Sequence, residues 1–191
     1  MQFISKILST VTLAFAFLLA GCAQQQPEQT NQQETEPQPD YSQLTAVVHP
    51  TEGNEVNGTV TFEETSEGVH VTAQLSGLEQ GRHGFHIHQY GDCSANDGTS
   101  AGGHYNPTGN DHGAPTQDNR HMGDMGNIVA DSDGNATIDY TDPIITLDGA
   151  NSIVGRGIVV HGGEDDLESQ PSGAAGPRVG CGVIGVANTS Q

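Results

Sequence analysis

Tryptophan is absent from this 191-residue chain, and lysine occurs once, as Lys6. Four arginines (Arg82, Arg120, Arg156, Arg178) complete the cations, against 24 acidic residues, for a net charge of −19 and a pI near 4.4. So little positive charge leaves no electrostatic source of attraction to nucleic-acid phosphate or anionic lipid head groups, and both are excluded as partners of the folded chain. The apolar fraction is only 33%. That value averages segments of very different character, so it does not by itself argue for disorder.

A long apolar span is also lacking. The longest run, Ile7 to Ala20, covers 14 positions, short of the roughly 20 residues a helix needs to cross hydrocarbon. Preceded by Lys6 and followed by a small-residue end before Cys22, it has the layout of an export signal over residues 1–21. The Leu-Ala-Gly-Cys end resembles a bacterial lipoprotein signal, which implies lipidation of Cys22; a plain cleaved signal with an incidental cysteine is the alternative. Residues 23–40 contain no aliphatic side chain larger than Ala and no aromatic, too little apolar area to offset their ordering entropy. The expected organisation is a signal over 1–21, a lipidated Cys22 with an acidic, Gln-rich tether over 22–40, and a domain over 41–191. The expected location is the periplasm or cell surface of a bacterium, with membrane attachment only through the lipid. Cleavage removes the lone lysine, so the mature chain sets four arginines against 24 acids, a net charge of −20.

Within the domain, eight short runs rich in β-branched or alternating apolar residues read as strands: 44–49, 58–64, 68–75, 83–90, 127–131, 135–141, 152–161 and 180–187. Asp133-Gly134-Asn135 and Glu67-Gly68 read as hairpin turns. No window carries a sustained helical period; at most a short helical turn is expected near Glu164 to Leu167. This pattern predicts an all-β antiparallel sandwich or barrel. Two long, polar, Gly-rich intervals, 91–126 and 162–179, interrupt it, and long loops in a compact domain are usually functional.

Six of the nine histidines fall between residues 83 and 121, and His161 ends a strand at the second long loop. His86 and His88, two apart on a strand, project from one face, as a shared metal requires. His104, His112, His121 and Asp124 offer three imidazoles and a carboxylate, a set suited to tetrahedral zinc, although imidazole-rich sets suit copper as well. Together with His161 these are seven ligands, one short of two four-coordinate sites. A single imidazole bridging two ions through its two nitrogens would close the count.

HGFHIHQYGDCS, GGHYNP, RHMGDMGN, GRGIVVHGGEDDL and GPRVGCGVIGVA, in this order, closely resemble copper/zinc superoxide dismutases across residues 44–187. The resemblance implies an eight-stranded Greek-key β-barrel with two long functional loops. It implies copper on His86, His88, His104 and His161, and zinc on His104, His112, His121 and Asp124, with His104 as the bridge. By the same match Arg178 guides the superoxide anion beside copper, and Asp165 links a copper ligand to a zinc ligand. His83 matches a structural strand histidine, while His49 and His70 match no ligand position.

With Cys22 lipidated, Cys93 and Cys181 remain as an even pair in an exported domain. The family pairs these positions; two free buried thiols are the alternative reading. Such a bridge closes a loop of 88 positions, for which chain entropy suggests about 4 to 5 kcal/mol. The implied activity is disproportionation of superoxide to oxygen and hydrogen peroxide, serving to protect the cell envelope. The rival is a non-catalytic extracytoplasmic copper/zinc-binding module, expected to lack a copper histidine or the guiding arginine. Two further features stand out. Cys181 to Gly185 resembles the apolar strand through which eukaryotic-type members form homodimers. The second loop reads EDDLESQPSGAAGPR, with Glu168 near where a related subgroup has lysine, so Arg178 is its only cation.

Overall fold

The computed structural model of the protein describes residues 41–189. The expected signal, Cys22 and the tether lie outside the described residues. The strands are β1 (Gln43–Pro50), β2 (Asn57–Thr65), β3 (Gly68–Ser76), β4 (Gly81–His88), β5 (Asp124–Ala130), β6 (Ala136–Asp142), β7 (Gly157–His161), β8 (Arg178–Val183) and β9 (Gly185–Val186). They run in the order β2-β3-β6-β5-β4-β7-β8-β1, and pairing of β1 with β2 closes the barrel. The connections from β3 to β4 and from β6 to β7 each pass over two intervening strands, which makes the topology a Greek key.

The expected eight strands are all present, the last in two pieces. Ile184 leaves the ladder between β8 and β9: its N–H donates to the Arg156 carbonyl at 2.9 Å, and its carbonyl accepts from Gly155 N–H at 2.8 Å. β9 then resumes pairing with β1. β7 starts at Gly157 rather than 152, because Ser152 folds back to donate its hydroxyl to the Leu147 carbonyl at 2.7 Å. Asp133-Gly134-Asn135 does form the β5–β6 turn, where the Asp131 carboxylate accepts the N–H groups of Asp133 and Asn135, both at 2.9 Å. The β2–β3 turn lies one residue earlier than expected, at Ser66-Glu67, since Thr65 pairs with Gly68.

Alternation places Leu44, Ala46 and Val48, Val60 and Phe62, Val71 and Ala73, Phe85 and Ile87, and Ile158 and Val160 in one buried core. The outward face of β4 is buried too, although it carries Gly84, His86 and His88. The two long loops cover it, so the barrel wall under them is a rigid platform. No helix forms at Glu164 to Leu167. Asp165 is held there instead, its N–H donated to the Asn127 side chain at 2.8 Å, and Leu167 turns with φ +65. Among the described residues the helical element is a short 3-10 turn, Thr99–Ala101, in the first loop.

Candidate metal centre

Strand geometry does much of the assembly. His86 and His88 alternate onto the outer face of β4, and β7, paired beside β4, ends in His161. A bridge between His88 and His104 brings in the first loop. His86, His88, His104 and His161 are all buried and each offers a ring nitrogen, the four lying within 4.8 Å of one another.

The nitrogens facing away from the cluster are engaged. His88 Nδ1 is 2.9 Å from the Gly102 carbonyl, His161 Nδ1 is 3.2 Å from the Gly176 carbonyl, and His86 Nε2 is 2.7 Å from Asp165 Oδ2. Those facing inward are matched, if at all, only with one another. His86 Nδ1 and His104 Nε2 are buried without a hydrogen-bond partner, and the Nε2 atoms of His88 and His161 face each other at 3.4 Å. Buried unpartnered imidazole nitrogens are costly unless a cation accepts their lone pairs.

The second group converges on one oxygen. Asp124 Oδ1 lies 2.7 Å from His104 Nδ1, 2.9 Å from His112 Nδ1 and 3.1 Å from His121 Nδ1, the contact to His112 being off line for a hydrogen bond. Asp124 Oδ2 is held by the N–H groups of His121 and Gly113 at 2.9 and 3.1 Å. Three imidazoles and a carboxylate closing on one point fit zinc in tetrahedral coordination. His104 belongs to both groups, Nδ1 to one and Nε2 to the other. Asp165 ties them again, with Oδ1 2.9 Å from His112 Nε2 while Oδ2 meets His86.

Protonation divides the two groups. Burial, reinforced by neighbouring imidazoles, holds His86 down to about 3 and His161 to about 4, and lowers His88 and His104. These rings are neutral at physiological pH and ready to bind a cation. At His112 burial opposes charge, but contacts with Asp124 and Asp165 outweigh it and lift the ring to about 9. Burial likewise opposes charge on Asp124 and Asp165, yet their histidine contacts keep both well below the usual carboxylate range. The anionic side is the side that resembles a zinc site.

A cavity of about 550 Å³ opens onto His88, His104 and His161. Arg178 is the only lysine or arginine lining it, and no Asp or Glu does. Its guanidinium donates to the carbonyls of Gly98 and Gly102 at 2.6 and 2.5 Å. Gly102 thus fixes both His88 and Arg178, with φ +76 and ψ −154, a region open essentially only to glycine. The Cys93–Cys181 disulfide, with Cα atoms 5.8 Å apart, joins the first loop to β8 near Arg178.

The three remaining histidines stay outside both groups. His83 lies 2.8 Å from the carbonyls of His161 and Glu79, His70 meets Asp139 on the surface at 2.9 Å, and His49 is exposed opposite Cys181.

Sequence reasoning missed Arg120. It is fully buried; Nη1 donates to the carbonyls of His121 and Asp124 at 3.1 and 3.0 Å, and Nη2 to Asp142 at 2.7 Å. It staples the turn carrying two zinc-group residues to β6. A lone arginine in a polar loop carries no sequence signal for that role; its neighbour His121 is the nearest hint.

Fold and site define a small β-barrel protein built around two adjacent clusters of candidate metal ligands that share one imidazole, with an arginine beside the nitrogen-only cluster. Residues 56–184 match the family described as copper/zinc superoxide dismutase (SODC). The chain is 46% identical over 150 residues to the extracellular superoxide dismutase [Cu-Zn] of Brugia pahangi, covering 74% of each chain. It is 49% identical over 143 residues to the enzyme of the same name from Drosophila melanogaster, covering 71% of this chain and 78% of that one. A solved structure titled as the clock protein EA4 superposes with a TM-score of 0.70 at 42% identity, covering 76% of this chain and 95% of that one. The chain belongs to the copper/zinc superoxide dismutase family. Its activity is therefore the disproportionation of superoxide, with copper and zinc as cofactors.

Proposed function

We propose that His86, His88, His104 and His161 hold copper, that His104, His112, His121 and Asp124 hold zinc, and that the domain works as an exported envelope dismutase. The observation that carries this assignment is the pair of buried, unpartnered nitrogens, His86 Nδ1 and His104 Nε2, turned into the copper group while their opposite nitrogens face Asp165 and Asp124. Copper held there would supply the one-electron redox chemistry for converting two superoxide anions and two protons to oxygen and hydrogen peroxide.

The chain's own residues do the rest. Arg178, pinned by two carbonyls, lines the cavity with His88 and His161 and orients the anion beside them. His104 lines the same cavity, and its Nε2, buried without a hydrogen-bond partner, would be the proton carrier to the departing peroxide whenever it is not engaged by the metal. Asp124 Oδ1, 2.7 Å from His104 Nδ1, keeps that ring oriented, and a zinc held by this group would brace it further. Asp165 holds His86 and His112 in register with one another. Presence of all four copper histidines together with Arg178 favours turnover over a metal-storage module. Metal analysis of a His161→Ala variant tests the assignment: it should lose copper and activity while retaining zinc.

The domain, residues 41–191, is proposed to be exported by the 1–21 signal and held to a bacterial membrane by a lipid on Cys22 through the 22–40 tether. The relatives named extracellular enzymes support export. Mass spectrometry of the mature N-terminus tests the anchor; a first residue other than modified Cys22 overturns it. A homodimer through the Cys181–Gly185 strand is supported by Val47, Val183 and Val186, three exposed apolar side chains on the adjoining β1, β8 and β9. Sedimentation equilibrium, with Val183→Glu as the disrupting variant, tests it.

A further inference from the structure

His112 lies in coil between the strands, so no ladder partner serves its backbone. Both of its buried backbone groups are nevertheless satisfied, and by one side chain. Gln170 Oε1 accepts the His112 N–H at 2.8 Å, and Gln170 Nε2 donates to the His112 carbonyl at 2.9 Å. Only one orientation of the amide does both, so the pairing is specific to a primary amide. Gln170 belongs to the second loop, 58 positions away from His112 in sequence.

The same loop grips the ring. Asp165 Oδ1 lies 2.9 Å from His112 Nε2, and Gly173, with φ +66, packs so closely that a Cβ there would collide with Asp165 Oδ1 and His112 Nε2. Directly after Gln170, Pro171 and Ser172 form part of the cavity wall that also contains Arg178. A single amide therefore stands between the backbone of a zinc-group histidine and the wall of the anion cavity.

We propose that Gln170 is a positioning residue for the zinc site: its bidentate amide sets the position of His112, and through it couples zinc binding to the second-loop wall of the cavity. This rests on the reading of His112 as a zinc ligand. Outer hydrogen bonds of this kind orient metal ligands, and losing them typically weakens metal binding about 10- to 100-fold.

The test compares the wild type with Gln170→Met, which keeps the length of the side chain and removes both hydrogen bonds, and with Gln170→Glu, which keeps the acceptor and loses the donor. Zinc release from the copper- and zinc-loaded proteins is followed with a chromophoric chelator, and matched samples carry cobalt(II) in place of zinc. Gln170→Met is expected to release zinc about tenfold faster and to shift the visible cobalt(II) bands, with Gln170→Glu between it and the wild type. Wild-type release and unchanged cobalt bands in Gln170→Met overturn the proposal, even if its melting temperature falls, because a merely structural role would lower stability alone. Should Gln170→Met fail to fold, Gln170→Glu decides by the same two readouts. Failure of the underlying reading looks different: His112→Ala would then bind cobalt(II) with the wild-type spectrum, whatever the Gln170 variants do.

Discussion

His161 and Arg178 are register partners across β7 and β8, so the proposed copper-binding histidine and the arginine proposed to orient the anion stand opposite each other on one ladder. The ladder shifts register between Val160 and His161, a bulge of the kind that re-aims side chains beside active sites. Arg178 thereby takes its place from the barrel as well as from the loop. Arg178→Ala should keep both metals and lower the superoxide-consumption rate about tenfold or more at low ionic strength. Metal analysis and a consumption assay on the same sample check this; an unchanged rate would remove Arg178 from the mechanism.

The response to salt follows from where the charge lies. The chain carries a net charge of −19, which repels superoxide, while Arg178 is the only lysine or arginine on the cavity wall and attracts it. Salt screens both effects, and the repulsion, acting over longer distances, is screened more. Initial rates should change little or rise between low and physiological ionic strength at constant pH. A steep fall would mean that steering by positive charge dominates.

Arg120 and Asp142 form an ion pair in which both side chains are fully buried. Asp142 also accepts the N–H groups of Ile144 and Ile145 at 3.0 and 3.2 Å. Arg120→Ala would leave that carboxylate without its counter-charge and free the His121–Asp124 turn. Removing one partner of such a pair costs about 3 to 5 kcal/mol, so chemical denaturation should show a large loss, together with weakened zinc retention. Loss of stability with normal zinc retention would separate the staple from the site.

Much of this arrangement was legible in the chain because it rests on short-range patterns. The alternation in β4 that buries Phe85 and Ile87 also turns His86 and His88 to the same outer face, and the density of histidines in the first loop marks the second group. What escaped depends on contacts between distant segments. Arg120 finds Asp142 twenty-two positions away, and Gln170 finds His112 across two loops, neither with a local signature. The short helical turn expected at Glu164 to Leu167 gave way because Asp165 is drawn to His86, His112 and Asn127. Hydrogen bonding to the 155–156 turn, also non-local, splits the last strand at Ile184.

The metal-free protein should be acid-sensitive. His86 at about 3 and His161 at about 4, with His88 also lowered, refuse protons that the unfolded chain accepts near 6.5. The unfolded state then binds more protons in that window, so stability is lost as pH falls from about 6.5 toward 4. His112, raised to about 9, contributes in the opposite sense: its stabilisation is complete below 6.5 and disappears as pH rises through 9. The Asp124 and Asp165 contributions vanish only at more acid pH, below the usual carboxylate value of 3.8. Calorimetry of the metal-free protein should therefore find a melting temperature highest near neutral pH and falling on either side; a midpoint that climbs steadily from pH 7 to 4.5 would contradict the buried neutral histidines.

Two adjacent metals sharing His104 are proposed to make this barrel a dismutase. The most direct measurement is the copper and zinc content of the purified domain alongside its superoxide consumption, for the wild type and His161→Ala. One copper and one zinc per chain with rapid consumption are expected in the wild type, and zinc alone with no catalysed consumption in the variant. A wild type loaded with both metals that consumes no superoxide would contradict the account.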